Sequence, residues 1–275
     1  MTATPKGTAL ITGASSGIGA VYADRLARRG FDLVLVARNS DRLQALATRL
    51  TAETGRKIET ITADLTDRKD IARVEAAIRT NRDLTLLVNN AGVGATAPLL
   101  ASDIEKMEEM IAINVNALTR LSYAAVPGFV ARGAGTLVNI ASIVAVSPET
   151  LNGVYGGSKA FVLAFSQSLQ HEVGEKGVRV QAVLPGATAT EFWGLAGLPV
   201  QHLPSAIVMS AEDMVDAALA GLDLGEKVTI PSLPSQDEWD AFDAARRAMS
   251  GRISSSVPAA RYGVTGSRTE AAATA

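Results

Sequence analysis

The segment TALITGASSGIG, residues 8–19, decides the fold of this 275-residue chain. Its first five residues are rich in apolar and β-branched side chains and predict a strand, and glycines follow at positions 13, 17 and 19 as a helical segment begins. A strand that turns through glycines into a helix leaves backbone N–H groups facing an anion, and Ser15 and Ser16 add hydroxyl donors. The pattern predicts a pyrophosphate site. The alternative is a tight strand-to-helix turn that uses glycine for packing alone.

Further strands are predicted along the rest of the chain, so that there are seven in all. Apolar runs rich in β-branched residues lie at about 31–36, 57–61, 84–88, 136–140, 178–184 and 227–231. Segments with helical periodicity, such as Leu43, Leu46, Ala47 and Leu50, lie between these runs. Alternating strands and helices predict parallel pairing, and the continuously apolar strands indicate helices on both faces. We therefore expect an α/β, doubly wound, seven-stranded parallel sheet.

Composition excludes several classes of function. The chain has 26 basic and 28 acidic residues and no basic stripe, so we expect no nucleic-acid partner. Its apolar runs are too short to cross a bilayer, and the first residues lack the pattern of a signal peptide, so we predict a cytoplasmic protein with no membrane partner. With no cysteine and two histidines, thiolate chemistry and a metal site are not expected.

The domain organisation is predicted from the change in composition near Ser250. Residues 1–250 show no linker and are predicted to form a single domain, whereas residues 251–275 are rich in Ser, Ala and Gly and are predicted to form a flexible C-terminal tail. The alternative for the tail is that Tyr262 and its neighbours pack across another subunit.

Arg38 ends the second predicted strand, where a dinucleotide-binding fold holds the adenosine ribose. Ala37 stands at the neighbouring position, where an acidic residue would bind the 2′-hydroxyl of NAD(H). Because a guanidinium suits a 2′-phosphate, the pair predicts NADP(H) rather than NAD(H). The alternative is that Arg38 is a surface Arg leading into the next helix, with Arg42 as its rival.

Polar residues also follow the third and fourth predicted strands. Asp64-Leu65 and the motif NNAG, residues 89–92, lie at carboxyl strand ends, where open α/β sheets bind ligands. Asp64 is predicted to accept a hydrogen bond from an adenine amine, and the alternative is that it caps the helix that starts near Asp67. For Asn89 and Asn90, the alternative is that they only tie strand ends together.

Asn114 lies on the apolar face of a helix predicted from about Ser102 to Gly128. Met107 and Leu118 share that face with Asn114. An amide among apolar side chains needs a partner. Asn114 is therefore expected either to bond its own helix backbone or to hold a water molecule for proton transfer.

Tyr155 and Lys159 are four residues apart, which puts a phenol and an ammonium group on the same face of a predicted helix. A nearby cation favours the phenolate and makes a Tyr more usable as an acid or base. Ser142 lies at the end of the fifth predicted strand. The loop that follows can bring the Ser142 hydroxyl and Tyr155 together. By itself, Tyr-x-x-x-Lys is a weak signal, because exposed pairs with this spacing are common.

Taken in chain order, TGASSGIG, Asp64, NNAG, Asn114, Ser142, Tyr155-x-x-x-Lys159 and Pro185-Gly186-x-x-x-Thr190 resemble the short-chain dehydrogenase/reductase family, in its single-domain Tyr-x-x-x-Lys branch. The resemblance covers residues 7 to about 232 and implies a Rossmann fold. It also implies that Ser142 polarises a carbonyl, that Tyr155 exchanges its proton, that Lys159 lowers the pKa of Tyr155 and holds the nicotinamide ribose, and that Asn114 holds a relay water.

The resemblance further implies which residues bind the cofactor and the substrate. The glycine-rich turn is expected to bind the pyrophosphate, and the end of the third strand is expected to bind adenine. NNAG is expected to contact the ribose side, and the turn at 185–190 the nicotinamide. The segments near Ser142 and after Thr190 are expected to contact the substrate. The residues concerned are Gly13, Ser15, Ser16, Gly17, Ile18 and Gly19; Asp64 and Leu65; Asn90, Ala91 and Gly92; Pro185, Gly186, Thr188 and Thr190, with Tyr155 and Lys159; and, for substrate, Val144, Phe192 and Trp193. Ser16 departs from the pattern, because some NADP-using relatives carry a basic residue there.

These observations predict an NADP(H)-dependent oxidoreductase that transfers a hydride between nicotinamide and an apolar carbonyl or secondary alcohol. The alternatives are a 3-oxoacyl-carrier-protein reductase, with Arg120 and Arg132 facing an acidic carrier, a non-catalytic NADP(H)-sensing module, and a structural subunit. Residues 191–209 are predicted to form a mobile lid, or alternatively a surface loop packed on its own core. A homodimer or homotetramer is expected, in which the Gly156-Gly157 pair allows another helix to approach closely.

Overall fold

Seven parallel strands form one sheet within the part of the chain that a computed structural model describes, residues 6–264. The strands occur in the order β3-β2-β1-β4-β5-β6-β7 and include all seven predicted runs, so the predicted fold class is confirmed. Their bounds are β1 (Thr8–Thr12), β2 (Asp32–Ala37), β3 (Ile58–Thr62), β4 (Leu84–Asn89), β5 (Gly135–Ile140), β6 (Val178–Val183) and β7 (Val228–Thr229).

The strand order reverses between β1 and β4. From β1 the chain proceeds outward to β2 and β3, then crosses back to β4 on the other side of β1. The two connections after β1 and β4 therefore leave the sheet in opposite directions, and a crevice opens at the carboxyl ends of these strands. The predicted site residues after β1, β4 and β5 all lie at this edge of the sheet.

Helices cover both faces of the sheet. One buried apolar cluster combines strand residues with α1, α2 and α8, and a second combines them with α3, α5 and α6. The helices are α1 (Gly17–Arg28), α2 (Ser40–Thr54), α3 (Arg68–Thr80), α4 (Ile104–Ile111), α5 (Leu118–Arg132), α6 (Gly153–Val173), α7 (Phe192–Leu195), α8 (Ala211–Leu224) and α9 (Gln236–Ser250).

The structure differs from the single helix expected over residues 102–128. The helical path begins with α4, passes through a π-helical segment, Ala112–Ala117, and continues as α5 to Arg132. A π segment accommodates an extra residue in a helical turn and is frequent at functional sites. Here it contains Asn114.

The chain divides into two compact units, Met1–Ser232 and Leu233–Ala275. The first unit holds the sheet and α1–α8. The second contains α9, whose cap Ser235 accepts a hydrogen bond from the backbone N–H of Asp237. The single domain over 1–250 and the flexible tail stay predictions, and residues 265–275 of that tail lie outside the described residues. Within residues 6–264, no helix is long and apolar enough to cross a membrane.

Candidate active site

The glycine-rich turn after β1 has a backbone that requires glycine. Gly13 has φ +65°, and a Cβ at this position would come within 2.8 Å of Asn90 Nδ2 and 2.9 Å of Ala91 Cα. At Gly19 a Cβ would overlap the carbonyl of Gly13, so the start of α1 lies directly against the turn. The backbone N–H groups at this helix start face the crevice end of the sheet, which fits a pyrophosphate.

Thr12 and Asn90 tie the ends of β1 and β4 together. The Asn90 amide donates to the carbonyls of Thr12 at 2.9 Å and Gly13 at 3.2 Å. The backbone N–H groups of Asn90 and Ala91 both donate to Thr12 Oγ1 at 3.0 Å. The Asn90 side chain thus has the strand-tying role that the sequence left open.

Asn89, one residue earlier, points into the core rather than into the crevice. It is buried, and its amide donates to Asn139 Oδ1 at 2.9 Å and Ser122 Oγ at 3.1 Å. Asn89 therefore also ties secondary-structure elements together, but from the side of the sheet that faces α5 and α6.

Arg38 follows β2 and is exposed. Among the described residues, its guanidinium has no hydrogen-bond or ion-pair partner. The neighbouring Ala37 is buried, and Asn39 caps α2 by accepting from the backbone N–H of Arg42. An unpartnered cation beside a capped helix start is available to a phosphate group.

Asp64 and Leu65 follow β3. The Asp64 carboxylate accepts from the backbone N–H of Thr66 at 2.9 Å and from Thr66 Oγ1 at 2.7 Å. Asp67, not Asp64, caps α3, because it accepts from the backbone N–H groups of Lys69 and Asp70. The alternative assignment of Asp64 as the cap is therefore wrong. Leu65 packs in the core.

Asn114 has different partners from those expected. Its side chain accepts from the backbone N–H of Val93 and donates to the Val93 carbonyl, both at 2.9 Å, and it also donates to Ser158 Oγ at 3.0 Å. Ser158 in turn donates to the carbonyl of Tyr155 at 2.8 Å. Neither partner is in the backbone of its own helical segment, so Asn114 links the loop after β4 to α6.

Ser142, Tyr155 and Lys159 meet at the carboxyl end of β5. The Ser142 hydroxyl lies near enough to the Tyr155 phenol to lower its pKa. Lys159 Nζ lies 5.8 Å from the centroid of the Tyr155 ring and donates to the carbonyl of Ile140 at 2.9 Å. All three side chains are buried. Asn152 caps α6 by accepting from the backbone N–H groups of Val154 and Tyr155, which fixes the first turn of that helix.

Burial changes the pKa of both titratable groups in this cluster. Burial raises the pKa of Tyr155 to about 12, while the neighbouring Ser142 hydroxyl acts in the opposite direction. Burial lowers the pKa of Lys159 to about 8. The net shift for Tyr155 is thus upward, although the sequence led us to expect that the Lys159 cation would lower it. At neutral pH the phenol carries its proton.

The turn at 185–190 lies beside both the catalytic cluster and the glycine-rich turn. Ile143 N–H and Ser142 Oγ both donate to the carbonyl of Pro185. At the other end of the turn, a Cβ at Gly17 would come within 3.1 Å of Thr190 Cγ2. Thr188 is buried and its hydroxyl donates to the carbonyl of Gly186 at 3.2 Å. This arrangement places the turn between the pyrophosphate turn and Ser142.

Two of the three predicted substrate residues, Val144 and Phe192, lie beside Tyr155, whereas the third, Trp193, does not. Val144 is buried in an apolar cluster with Tyr155, and the Phe192 ring packs 5.9 Å from the Tyr155 ring, centroid to centroid. Trp193 is buried and donates from Nε1 to the carbonyl of Thr188 at 3.0 Å. Phe192 and Val144 border the phenol, whereas Trp193 anchors the segment that follows the turn.

Gly94 makes room for Phe192. A Cβ at Gly94 would overlap the ring of Phe192, so this residue must lack a side chain for the ring to lie as it does. Two residues later, the Thr96 N–H and Thr96 Oγ1 both donate to the carbonyl of Ala196 at 3.1 and 2.9 Å. The loop after β4 and the segment after Thr190 therefore form one wall beside the Tyr155 phenol.

Arg42, the rival of Arg38, has a partner. Its guanidinium donates to both carboxylate oxygens of Glu191, at 2.7 and 3.2 Å. This exposed ion pair joins the first turn of α2 to the segment after Thr190 and holds down the pKa of Glu191. Arg38 is therefore the free cation of the two.

A family model described as short chain dehydrogenase matches residues 7–197, and this stretch contains every catalytic candidate.

The chain belongs to the short-chain dehydrogenase family.

The family predicted from the motifs is therefore confirmed, and with it the class of enzyme, an oxidoreductase. Among solved structures, a short-chain dehydrogenase from Sphingobium yanoikuyae in complex with NADPH is 49% identical, with a TM-score of 0.90 over 94% of this chain and 100% of that one. A bulky-bulky ketone specific alcohol dehydrogenase from Comamonas testosteroni is 44% identical, with a TM-score of 0.87 over 94% and 99%.

Curated relatives cover less of the molecule. The very-long-chain 3-oxoacyl-CoA reductase of Anas platyrhynchos is 35% identical over 189 residues, which are 67% of this chain. The matched stretch spans 60% of that reductase's own length.

Several functional residues of this short-chain dehydrogenase were missed by the sequence analysis. Thr12, Ser158 and Gly94 each act through a contact with a residue far away in the chain. Gly94 alone carried a local signal, since a second glycine two residues after Gly92 indicates a close approach. The others are ordinary hydroxyl residues in a strand or a helix.

Proposed function

We propose that the protein is an NADP(H)-dependent oxidoreductase that interconverts an apolar ketone and the corresponding secondary alcohol. The observation that carries the proposal is the buried Tyr155 phenol, which has the buried Ser142 side chain beside it and an ammonium group 5.8 Å from its ring. When bound, the cofactor supplies or takes the hydride at nicotinamide C4. In reduction, the carbonyl carbon gains that hydride and the carbonyl oxygen gains the proton of Tyr155.

Each residue of the cluster has a separate role in this proposal. The Ser142 hydroxyl donates a hydrogen bond to the carbonyl oxygen and holds it against the Tyr155 O–H. The Lys159 cation stabilises the phenolate that remains after proton transfer and holds the nicotinamide ribose. Asn114 keeps the loop after β4 in place through Val93, and its Oδ1 retains an acceptor site for a relay water.

The choice of NADP(H) is supported by the residues around the 2′-position. Arg38 is an exposed and unpartnered cation at the end of β2, and Ala37 offers no carboxylate to a ribose diol. Ser15 and Ser16 add hydroxyl groups in the glycine-rich turn. The Sphingobium relative was solved with NADPH, which agrees with this choice.

An apolar substrate is supported by the wall around Tyr155. Met107, Met110 and Val144 are buried against the phenol, and Phe192 packs over it. Near Thr96 and Ala196 in the sequence, the side chains of Leu99, Leu100 and Leu195 are exposed. An apolar carbonyl compound matches such a wall better than a sugar, whose hydroxyl groups would lose water without gaining partners. The Comamonas relative is named for bulky ketones.

NADPH oxidation with a panel of carbonyl compounds tests the proposal. We expect kcat/KM for an aryl alkyl ketone and a diaryl ketone to exceed that for a ketose by at least about tenfold, since burying two methylene groups contributes about 1.6 kcal/mol. Binding of NADPH without turnover of any ketone or aldehyde would favour the sensing module instead. Faster turnover of the ketose would contradict the apolar substrate.

The two directions of the reaction are expected to respond oppositely to pH. Reduction needs a protonated Tyr155 and a charged Lys159, so its rate should stay level in the neutral range and fall above about pH 8 as Lys159 loses its charge. Alcohol oxidation needs the phenolate, whose fraction rises with pH, so its rate should increase from pH 6 to 8. Initial rates in both directions measure this, and an oxidation rate that does not change over this range would contradict it.

A homodimer or homotetramer stays a prediction. Its support is the exposed aromatic surface of α5 and α6, where Tyr123 is 71% exposed and Phe161 stacks on Phe165. Among the described residues, neither Gly156 nor Gly157 meets another helix: a Cβ at Gly156 would lie nearest Pro148, and a Cβ at Gly157 would contact nothing. Light scattering should give at least twice 28.5 kDa, and Tyr123→Glu should lower that mass more than Leu224→Glu on α8. A wild-type mass of one chain would contradict the prediction.

The carrier-protein alternative has little support. Arg120 pairs with the buried carboxylate of Glu75 at 2.6 Å, and Arg132 donates to the carbonyl of Leu84 at 2.6 Å. Both arginines therefore serve contacts within the fold rather than a patch for an acidic carrier. The cytoplasmic location stays a prediction.

A further inference from the structure

Four polar side chains form a buried hydrogen-bonded network between the sheet and two helices. Asn89 lies on β4, Asn139 on β5, Ser122 on α5 and Ser166 on α6, and each is at most 3% exposed. Asn89 Nδ2 donates to Ser122 Oγ at 3.1 Å and to Asn139 Oδ1 at 2.9 Å, and Asn139 Nδ2 donates to Ser166 Oγ at 2.9 Å. Burying a side-chain amide in a core costs free energy unless the amide is hydrogen-bonded, so this network needs an explanation beyond packing.

The two serines have matching surroundings on different helices. Ser122 Oγ donates to the carbonyl of Leu118 at 2.8 Å, and Ser166 Oγ donates to that of Val162 at 2.7 Å. Each serine accepts from one asparagine amide. The difference is that only Ser166 belongs to α6, the helix that carries Tyr155 and Lys159.

Helix α6 is attached to β5 at two neighbouring residues. Lys159 Nζ donates to the carbonyl of Ile140, and the amide of Asn139 donates to Ser166. The two attachment points on α6 are roughly 10 Å apart along the helix, because each residue adds about 1.5 Å. Apolar packing alone opposes small translations and rotations of a helix only weakly. Two directional hydrogen bonds at separate points oppose both movements.

We propose that Asn139, through Ser166, is a positioning residue that holds α6 in register with β5 and so sets the position of Lys159 and Tyr155 relative to Ser142. The inference rests on the proposed roles of Tyr155 and Lys159. Ser142 follows β5 directly, whereas Tyr155 and Lys159 belong to α6. The register between this strand and this helix therefore determines whether the three groups meet.

The test compares Ser166→Ala with Ser122→Ala. Both variants remove one buried hydroxyl with one amide partner, so we expect similar losses of thermal stability. Ser166→Ala alone should lower kcat for ketone reduction, by about tenfold, within the hundredfold that a 1 Å misplacement can cost. Because a loosened α6 admits water to Lys159, the pH at which reduction is lost should also move upward from about 8. Ser166→Thr, which keeps the hydroxyl, should restore both.

A readout independent of turnover accompanies the kinetics. NADPH affinity, measured by fluorescence, should fall more in Ser166→Ala than in Ser122→Ala, since Lys159 is proposed to hold the nicotinamide ribose. Equal kcat, equal pH dependence and equal NADPH affinity in the two alanine variants would overturn the positioning role. If Ser166→Ala does not fold, Ser166→Cys and Ser122→Cys replace the pair with the same expectations, because a thiol is a much weaker hydrogen-bond partner of similar size. Full activity of Tyr155→Phe would instead show that the proposed function has failed.

Discussion

Replacing Tyr155 with Phe is expected to lower kcat for ketone reduction by about 10² to 10⁴, the usual contribution of a positioned acid or base. The variant loses only the phenolic oxygen, so the ring can still pack against Phe192 and Lys159. NADPH affinity should stay nearly unchanged. Initial rates with a saturating apolar ketone, together with fluorescence titration of NADPH, measure the two effects separately.

Tyr123→Phe is the matched control for this experiment. Tyr123 is an exposed tyrosine on α5, outside the catalytic cluster, so the same loss of a hydroxyl there should leave kcat unchanged. If Tyr155→Phe retains the wild-type kcat, the phenol is not the proton donor. A large loss of NADPH affinity in Tyr155→Phe would show that the residue acts mainly in cofactor binding.

Arg38→Ala is expected to weaken the use of NADPH about tenfold to a hundredfold in kcat/KM and to affect NADH far less. The 2′-phosphate carries close to two negative charges at neutral pH, and hydrogen bonds to charged groups contribute about 1.5 to 3 kcal/mol. NADH offers the same guanidinium only a hydroxyl group. Steady-state kinetics with both cofactors give the ratio directly.

Ala37→Asp should move the preference further towards NADH, because a carboxylate repels the phosphate and accepts from both ribose hydroxyls. Arg82→Ala is the control, since Arg82 is also exposed but precedes β4, at the opposite edge of the sheet. Equal losses for NADPH and NADH in Arg38→Ala would show that Arg38 does not recognise the phosphate. In that case Arg42 is the next candidate, once released from Glu191.

Local sequence patterns were enough to predict the sheet and the edge of it at which the candidate site lies. Strand runs such as 31–36 and 84–88 differ from β2 and β4 by one residue at most at either end. Buried parallel strands read as continuous apolar runs, and the helices between them have their own period, so each element is encoded within its own segment. Because parallel strands place their carboxyl ends at one edge, the motifs after β1, β4 and β5 could be assigned to one crevice.

The contacts made by these side chains could not be predicted in the same way. Asn114 was expected to bond its own helix or a water molecule, yet it bonds Val93 and Ser158. Asp67, and not Asp64, caps α3. Each outcome depends on which backbone groups another segment brings within about 3 Å. The sequence of a single helix or strand does not determine that distance.

The sequence by itself determined the fold class, the family, and the identity of the Ser142, Tyr155 and Lys159 cluster. Only the tertiary structure decided the protonation of that cluster, because burial by other segments raises the pKa of Tyr155 and lowers that of Lys159. Likewise, only the tertiary structure decided that Gly94 admits Phe192 beside the phenol. The physical reason is that periodicity and turn chemistry act between neighbours in the chain, whereas desolvation and close packing depend on atoms from residues far apart in it.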